Sequence, residues 1–305
     1  MKILLFSHGS DIDGMGSIII SNVFFDEVNY KYAEIHNLDE LILSEIDNNS
    51  IYDYDMVFVT DLTPKNETLD IIEKNNKLKD KFIVIDHHQT NYNRASSYSF
   101  VNISIRNEIG MCSATSLFYD YLVNNKYIED KEIVREYAEL TRLEDTWEWK
   151  KNNNNLAHNL AHLFNLLGRD KYVELMINKL KNNKQFKLDP NEEILIDVKI
   201  KDIDKHIDSY LKIMKDITIN NHKGVLVIID YQYRNDFPEY LRDNGYDYEF
   251  AMMACFDHNS ISFRSINNCN VREIAEEYGG GGHDRASACY LNEKIDKIYD
   301  ILLEK

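Results

Sequence analysis

An apolar run that ends in charged side chains stands near the N-terminus, where residues 3–16 read ILLFSHGSDIDGMG. Such a run, followed by a polar break and a helix-like stretch over residues 15–25, is typical of a buried strand that leads into a helix. Two more apolar runs, over residues 56–60 and 82–85, are separated by a segment of helical character over residues 66–78. This alternation predicts βαβ units and a mostly parallel sheet flanked by helices.

Ionisable side chains follow each of these apolar runs. They are His8, Asp11 and Asp13 after the first run, Asp61 after the second, and Asp86, His87 and His88 after the third. In parallel α/β sheets ligands bind beyond the carboxyl ends of the strands, so we expect these side chains to gather at one sheet edge. A helical pattern over residues 131–143 places one more carboxylate, that of Asp145, at a helix end.

The length of the chain predicts two domains, because its 305 residues exceed the roughly 250 that one hydrophobic core usually serves. Asp189-Pro190, with two glutamates after it, resembles a helix start, and strand-like runs alternate with a helix beyond residue 224. We therefore predict an α/β fold with three parts: an N-terminal domain over residues 1–188, a connecting helix over residues 189–218, and a smaller C-terminal α/β domain over residues 219–305.

Charge and composition limit the partners of the protein. There are 35 Lys and Arg residues against 52 Asp and Glu residues, a net charge of −17, which provides no basic surface for long duplex nucleic acid. The four cysteines form no CxxC pair, and no apolar run approaches the roughly 18 residues of a membrane span. We expect a soluble cytoplasmic protein without a membrane partner, for which a homodimer is compatible with the sequence.

The residue types after the strands favour a metal site. Carboxylates together with imidazoles suit a transition metal such as manganese better than calcium, which prefers oxygen ligands alone. Taken separately, Asp11 and Asp13 also fit an acidic turn with a helix N-cap, and each histidine fits an ordinary surface or packed position. Four carboxylates at one edge would repel one another, however, and two divalent cations would neutralise them. We therefore expect two divalent ions, with Mn²⁺ the preferred metal.

The order of these motifs resembles the DHH phosphoesterase family. The matching segments are residues 8–14 (HGSDIDG), Asp61, Asp86-His87-His88 and Asp145. A later segment, Gly280-Gly281-Gly282-His283, is similar to the signature of the DHH-associated C-terminal domain. The resemblance covers nearly the whole chain and implies the same two-domain α/β fold.

The resemblance also implies roles for these residues. It implies two sets of metal ligands that share a bridging Asp61, namely His8, Asp11 and Asp61 for one ion and Asp13, Asp61, His87 and Asp145 for the other. It gives catalytic roles to two more side chains: Asp86 orients one of the metal ligands, and His88 faces the scissile phosphate as a hydrogen-bond donor or general acid. Two such ions activate a water molecule, so no covalent protein nucleophile is needed.

A glycine-rich segment predicts a phosphate contact in the C-terminal domain. Residues 279–282 hold four of the eleven glycines, and their backbone N–H groups can approach an anion closely, although a flexible turn also fits the pattern. Arg264 suits phosphate because its planar fork donates two hydrogen bonds at once. With the resemblance, the expected substrate-binding residues are Arg264, Ser265, Gly280, Gly281, Gly282 and His283.

The amino-acid sequence of the motif over residues 142–149 most resembles the nanoRNase, or oligoribonuclease, branch of the family. That resemblance implies exonucleolytic hydrolysis of oligonucleotides of two to five residues to nucleoside 5′-monophosphates. Two other enzymes stay open, a phosphodiesterase for cyclic or linear signalling dinucleotides and a phosphatase for 3′-phosphoadenosine 5′-phosphate. A protein of a different class, a nucleotide-binding sensor that catalyses no reaction, is a further alternative. The expected partner is a short oligonucleotide or dinucleotide.

Overall fold

The computed structural model describes residues 1–291, and the chain divides into two compact units, Met1–Ile196 and a second that begins at Asp197. This division falls inside the segment 189–218 that the sequence predicts as a connection. No helix among the described residues is long and apolar enough to cross a membrane.

The first unit contains one sheet and the helices that cover it. Its strands are β1 (Lys2–His8), β2 (Glu27–Ala33), β3 (Met56–Thr60), β4 (Phe82–Asp86) and β5 (Val101–Ile103). Its helices are α1 (Ile12–Phe24), α2 (Leu38–Asp47), α3 (Asn66–Glu73), α4 (Asn76–Lys79), α5 (Gln89–Ala95), α6 (Ala114–Asn124), α7 (Glu132–Asp145), α8 (Glu148–Lys151), α9 (Asn155–Leu167) and α10 (Arg169–Asn182), and α11 (Pro190–Tyr210) follows.

All neighbouring strands of this sheet are parallel, in the order β2-β1-β3-β4-β5. The register pairs Ser7 with Thr60 and Thr60 with Ile85, so β1, β3 and β4 end at the same edge. The predicted parallel α/β sheet is therefore confirmed, and the polar residues after these strands leave from one edge.

Both faces of the interior strand β1 are covered by helices, and its successive side chains point to opposite faces. Ile3 and Leu5 belong to an apolar cluster with α1, α6, α7, α9 and α10. Leu4 and Phe6 belong to the opposite cluster with α2 and α3. The continuous apolar run over residues 3–6 thus forms a strand enclosed between two helical layers.

The second unit is also built around one sheet. After the end of α11 come β6 (Lys215–Ile219), β7 (His222–Ile228), α12 (Asp236–Asp243), β8 (Phe250–Cys255), β9 (Ser260–Ser265), α13 (Val271–Glu277), β10 (Gly281–Gly282) and β11 (Ala286–Tyr290). Its 6-stranded sheet has the order β10-β11-β9-β8-β7-β6, with one parallel pair, β7 and β8. This mixed sheet confirms the predicted second α/β domain.

Candidate active site

Eight ionisable side chains of the first unit meet at the carboxyl edge of its sheet. They are His8 at the end of β1, Asp11 and Asp13 at the start of α1, Asp61 after β3, Asp86 at the end of β4, His87 and His88 after it, and Asp145 at the end of α7. Three groups among them have ligand atoms within 4.8 Å of one another: His8, Asp11 and Asp61; Asp13, His87 and Asp145; and Asp61, His87 and His88.

Asp61 lies between the first two groups, and its two oxygens face different histidines. Oδ2 of Asp61 is 3.3 Å from Nδ1 of His8, which is also 2.9 Å from Oδ2 of Asp11. Oδ1 of Asp61 is 3.2 Å from Nε2 of His87. A carboxylate held in this way can contribute one oxygen to each of two neighbouring cations.

The backbone at Asp61 explains this placement. Its φ is +62°, in the left-handed region that aspartate tolerates better than most side chains. Its N–H donates to the carbonyl of Ile85 on the neighbouring strand β4, at 3.0 Å. The chain turns sharply as soon as β3 ends, and this turn leaves the carboxylate at the sheet edge, where it is 4% exposed.

His87 is the common neighbour of the second group. Its Nε2 lies 3.6 Å from Oδ2 of Asp13 and 3.7 Å from Oδ2 of Asp145. Burial, together with the Asp61 carboxylate, raises the pKa of Asp13 to about 6. Burial also raises the pKa of Asp145 well above its usual range, although the His87 ring opposes that shift. Each raised pKa means that the ionised carboxylate lacks sufficient positive charge nearby.

Asp13 is held by the N-terminus of α6, a contact that crosses about a hundred residues of sequence. Its oxygens accept from the backbone N–H groups of Ala114, at 2.7 Å, and Thr115, at 2.9 Å. The hydroxyl of Thr115 donates to the carbonyl of Asp13 at 2.7 Å. Because a helix N-terminus favours negative charge, α6 fixes this buried carboxylate in one orientation.

Asp86 and His88 form a separate pair. Oδ1 of the buried Asp86 lies 2.7 Å from Nδ1 of His88, and its Oδ2 accepts from the hydroxyl of Thr63 and the amide of Asn91. Burial opposes the ionisation of Asp86, but the His88 hydrogen bond outweighs it and lowers the Asp86 pKa to about 2. Asp86 therefore remains charged and fixes the orientation of the His88 ring.

The sequence did not identify Glu34 as part of this site. Its carboxylate lies 3.1 Å from Nε2 of His8 and accepts from the hydroxyl of Ser10 at 2.7 Å. Glu34 directly follows β2, so it stands at the same sheet edge as the predicted residues. Ionisable residues that follow a strand were expected at this sheet edge, so Glu34 would have been included if β2 had been recognised as a strand.

The predicted substrate-binding residues of the second unit lie on β9 and on or next to β10, two strands that both pair with β11. Arg264 of β9 is paired in register with Ala286 of β11, and Gly282 of β10 is paired with Ser287 of β11. The N–H of His283 donates to the carbonyl of Ala286 at 2.8 Å, which closes the hairpin. The structure therefore brings these segments together in one sheet, with Ser265 buried at the end of β9.

The three glycines Gly280, Gly281 and Gly282 differ in whether the surrounding backbone requires a glycine at their position. A Cβ on Gly280 would lie 2.1 Å from the carbonyl oxygen of Ala288, and Gly282 has φ +137°, which favours glycine. A Cβ on Gly281 would meet nothing within 4 Å among the described residues. Close backbone packing thus accounts for Gly280 and Gly282, and Gly281 is the position of the three with open space beside it.

The donor set of the first unit fits divalent cations. Four carboxylates and two imidazoles converge on two adjacent groups, and oxygen and nitrogen donors of this kind suit transition metals. Asp86 belongs to none of the three groups, in agreement with its hydrogen bonds to His88, Thr63 and Asn91.

Comparisons with known proteins identify similar sequences and similar folds. Residues 2–143 match the N-terminal domain of the DHH family. The chain is 27% identical over 299 residues to the oligoribonuclease NrnB of Bacillus subtilis, an alignment that covers 97% of this chain and 74% of that protein.

Two solved structures share the fold. One is the pGpG-specific phosphodiesterase PggH of Vibrio cholerae, with a TM-score of 0.54 and 16% identity over 99% of this chain and 97% of that chain. The other is the exonuclease RecJ bound to manganese, with a TM-score of 0.51 and 13% identity over 99% of this chain and 89% of that chain.

Fold, motifs and family match define a phosphoesterase of the DHH type. Residues 2–143 form its DHH domain, which ends within α7 just before Asp145. The match to the DHH family is shown for residues 2–143, and the resemblance seen in the sequence is confirmed.

Proposed function

We propose that this protein hydrolyses short oligonucleotides, of two to five residues, to nucleoside 5′-monophosphates with the help of two divalent ions, preferably Mn²⁺. The observation that carries this proposal is the position of Asp61, whose two oxygens face the His8 and His87 groups separately. The alignment of 97% of this chain with a protein named oligoribonuclease supports the substrate class.

One ion would be held by His8, Asp11 and Asp61, and the other by Asp13, Asp61, His87 and Asp145. The chemistry that such ions supply is activation of water as the nucleophile and neutralisation of charge on the phosphate oxygens. The raised pKa values of Asp13 and Asp145 support this arrangement, because burial disfavours the charged form of both carboxyl groups and nearby cations would favour it.

The protein's own residues have three further tasks in this proposal. The α6 N-terminus holds Asp13 in the orientation that its ligand role requires. Asp86 holds the His88 ring through Nδ1, so that His88 can donate a hydrogen bond or a proton to the reacting phosphate through its other nitrogen. Arg264 and the hairpin that contains Gly281 and His283 hold a phosphate of the substrate.

Product analysis with Mn²⁺ tests the proposal. The panel contains 5′-phosphorylated oligomers from the dinucleotide upward, a cyclic dinucleotide, 3′-phosphoadenosine 5′-phosphate and pyrophosphate. We expect rapid release of nucleoside monophosphates from the shortest oligomers. The Asp61→Asn variant, purified in parallel, excludes a contaminating nuclease. Turnover of the cyclic dinucleotide or the bisphosphate alone would move the function to one of those substrates, and turnover of none would overturn hydrolysis.

A further inference from the structure

Arg264 has no acidic partner among residues 1–291. Its Nε donates to Oδ1 of Asn235 at 3.0 Å, and its Nη1 donates to the carbonyl of Phe263 at 3.0 Å. These are neutral acceptors, and within the described part of the chain no carboxylate lies within ion-pair distance of the guanidinium. By contrast, Arg135 and Arg142 each pair with a carboxylate.

A second arginine, Arg234, also forms no ion pair with a carboxylate among the described residues. Its guanidinium carbon lies 3.6 Å from the centre of the Tyr231 ring, and its Nη1 donates to the carbonyl of Tyr231 at 3.0 Å. The ring of His258 stacks on Tyr231 with centroids 3.9 Å apart and planes 8° apart. Since one ring face cannot hold both groups at these distances, Tyr231 lies between Arg234 and His258. No ion pair joins Arg234 to a described residue.

The two guanidinium groups are neighbours. Asn235, which accepts from Arg264, directly follows Arg234 in the chain. Burial and the nearby Arg234 charge lower the pKa of Arg264 to about 10. Both arginines also act on the thiol of Cys255 at the end of β8, although burial dominates the pKa of that group and raises it. The Arg234 charge also acts on the buried carboxyl group of Asp236, but no ion pair joins the two among residues 1–291. Two like charges held close together without an ion-paired carboxylate are unfavourable unless an anion joins them.

We propose that Arg234 is a second phosphate-binding residue beside Arg264, and that this pair selects substrates with a terminal phosphomonoester over those without one. A phosphomonoester carries a charge of about −1.5 to −2 at neutral pH, whereas an internal phosphodiester carries one negative charge. Two guanidinium groups therefore match the phosphomonoester in charge, and the hydrogen bonds described above do not use Nη2 of either arginine. The proposal rests on the proposed function in that the ligand is a short oligonucleotide.

The stack on Tyr231 gives Arg234 a positioning advantage. An arginine that is free to rotate loses side-chain entropy when it binds a ligand, and a guanidinium held against an aromatic ring has already lost part of it. Tyr231 itself is anchored, because its N–H donates to the carboxylate of Asp257. We therefore expect Tyr231→Leu to weaken phosphate binding although it removes no charge.

The test compares a dinucleotide that carries a 5′-phosphate with the same dinucleotide without it, using the full-length protein loaded with Mn²⁺. Charge-assisted hydrogen bonds are worth about 1.5–3 kcal/mol, which corresponds to about 10- to 100-fold in affinity. We expect Arg234→Gln to reduce the KM advantage of the phosphorylated substrate by about tenfold or more, and Arg234→Lys to restore part of it. The control is Lys223→Gln, which removes one positive charge from the same unit at a residue paired with Asp247.

A binding measurement separates failure of this inference from failure of the proposed function. Calorimetric titration of the Asp61→Asn variant with the phosphorylated dinucleotide needs no turnover. The same titration is repeated with two double variants, Asp61→Asn/Arg234→Gln and Asp61→Asn/Lys223→Gln. Weaker binding by the first and unchanged binding by the second would support the second phosphate contact even if the wild-type protein cleaved neither dinucleotide. If Arg234→Gln left both the KM advantage and this binding unchanged, the inference would be wrong.

Discussion

At the scale of single residues, the candidate site depends on carboxylates whose oxygens have separate partners. Asp61 directs one oxygen toward His8 and the other toward His87, and Asp13 directs its two oxygens toward two N–H groups of α6. These arrangements differ from an acidic patch on a surface, where carboxylates turn toward water. They also make each side chain sensitive to small chemical changes.

Asp61→Asn should abolish binding of both ions, because an amide nitrogen replaces one of the two oxygens and the negative charge is lost. We expect hydrolysis of the shortest oligomers to fall at least about 100-fold, because the loss of a residue that only supports a metal ligand already costs about 10- to 100-fold. Titration with Mn²⁺, followed by electron paramagnetic resonance, measures the number of bound ions. Asp80→Asn, at an exposed position after α4, is the matched control. Binding of two ions by the Asp61 variant would contradict the bridging role.

At the scale of elements, the contact between α1 and α6 aligns the site. A Cβ on Gly16 of α1 would lie 2.0 Å from Oγ1 of Thr115, the residue whose N–H and hydroxyl hold Asp13. The glycine therefore allows the two helices to approach closely enough for α6 to reach Asp13. The same pair of helices also contributes to the larger apolar core of the first unit.

Gly16→Ala should destabilise the protein despite the higher helix propensity of alanine. That propensity favours alanine by about 1 kcal/mol, whereas overpacking against Thr115 costs about 1–3 kcal/mol, so we expect a net loss. Urea unfolding measures the change. Ser17→Ala, one position along the same helix, removes a buried hydroxyl that has no hydrogen-bond partner within residues 1–291 and should have little effect. A Gly16 variant as stable and active as the wild type would show that the helices can separate without cost.

A buried ion pair joins α10 to the start of α11. Nζ of Lys179 donates to Oε2 of Glu192 at 2.9 Å, and the same oxygen accepts from the N–H of Asp189. Lys179→Met should cost about 3–5 kcal/mol of unfolding free energy, because it leaves a buried carboxylate without its cation. Chemical denaturation tests this value, and the double variant Lys179→Met/Glu192→Met should recover most of the loss. A loss below about 1 kcal/mol would mean that water reaches Glu192.

The strands and helices could be predicted to different degrees from the sequence. The central strands β1, β3 and β4 are continuous apolar runs, which is why they were recognised. The edge strand β2 reads EVNYKYA, and Ala33 is its one buried residue, so it carries little apolar signal. The single helical segment expected over residues 66–78 is two helices, α3 and α4, with a break at residues 74–75.

At the scale of the whole molecule, the net charge of −17 limits the length of nucleic acid that can bind. Affinity for a single strand falls with salt with a slope of about −0.7 per phosphate neutralised. If Arg234 and Arg264 neutralise about two charges, log KM for a phosphorylated trinucleotide should rise by only about 1.4 per tenfold increase in salt. KM measured from low to moderate salt checks this slope. Duplex DNA should not compete, and effective competition or a slope above about 4 would reveal a basic groove.

The sequence by itself determined the parallel sheet, the two α/β units and most of the ionisable residues at the sheet edge. Each of these follows from short-range patterns, because strand periodicity and the residues that end a strand are local properties. Only the tertiary structure decided that Asp61 faces two histidines, that α6 holds Asp13, that Glu34 contacts His8 and that Arg234 lies beside Arg264. Those contacts join segments that are far apart in the chain, and their geometry depends on strand register and helix packing, which no local pattern specifies.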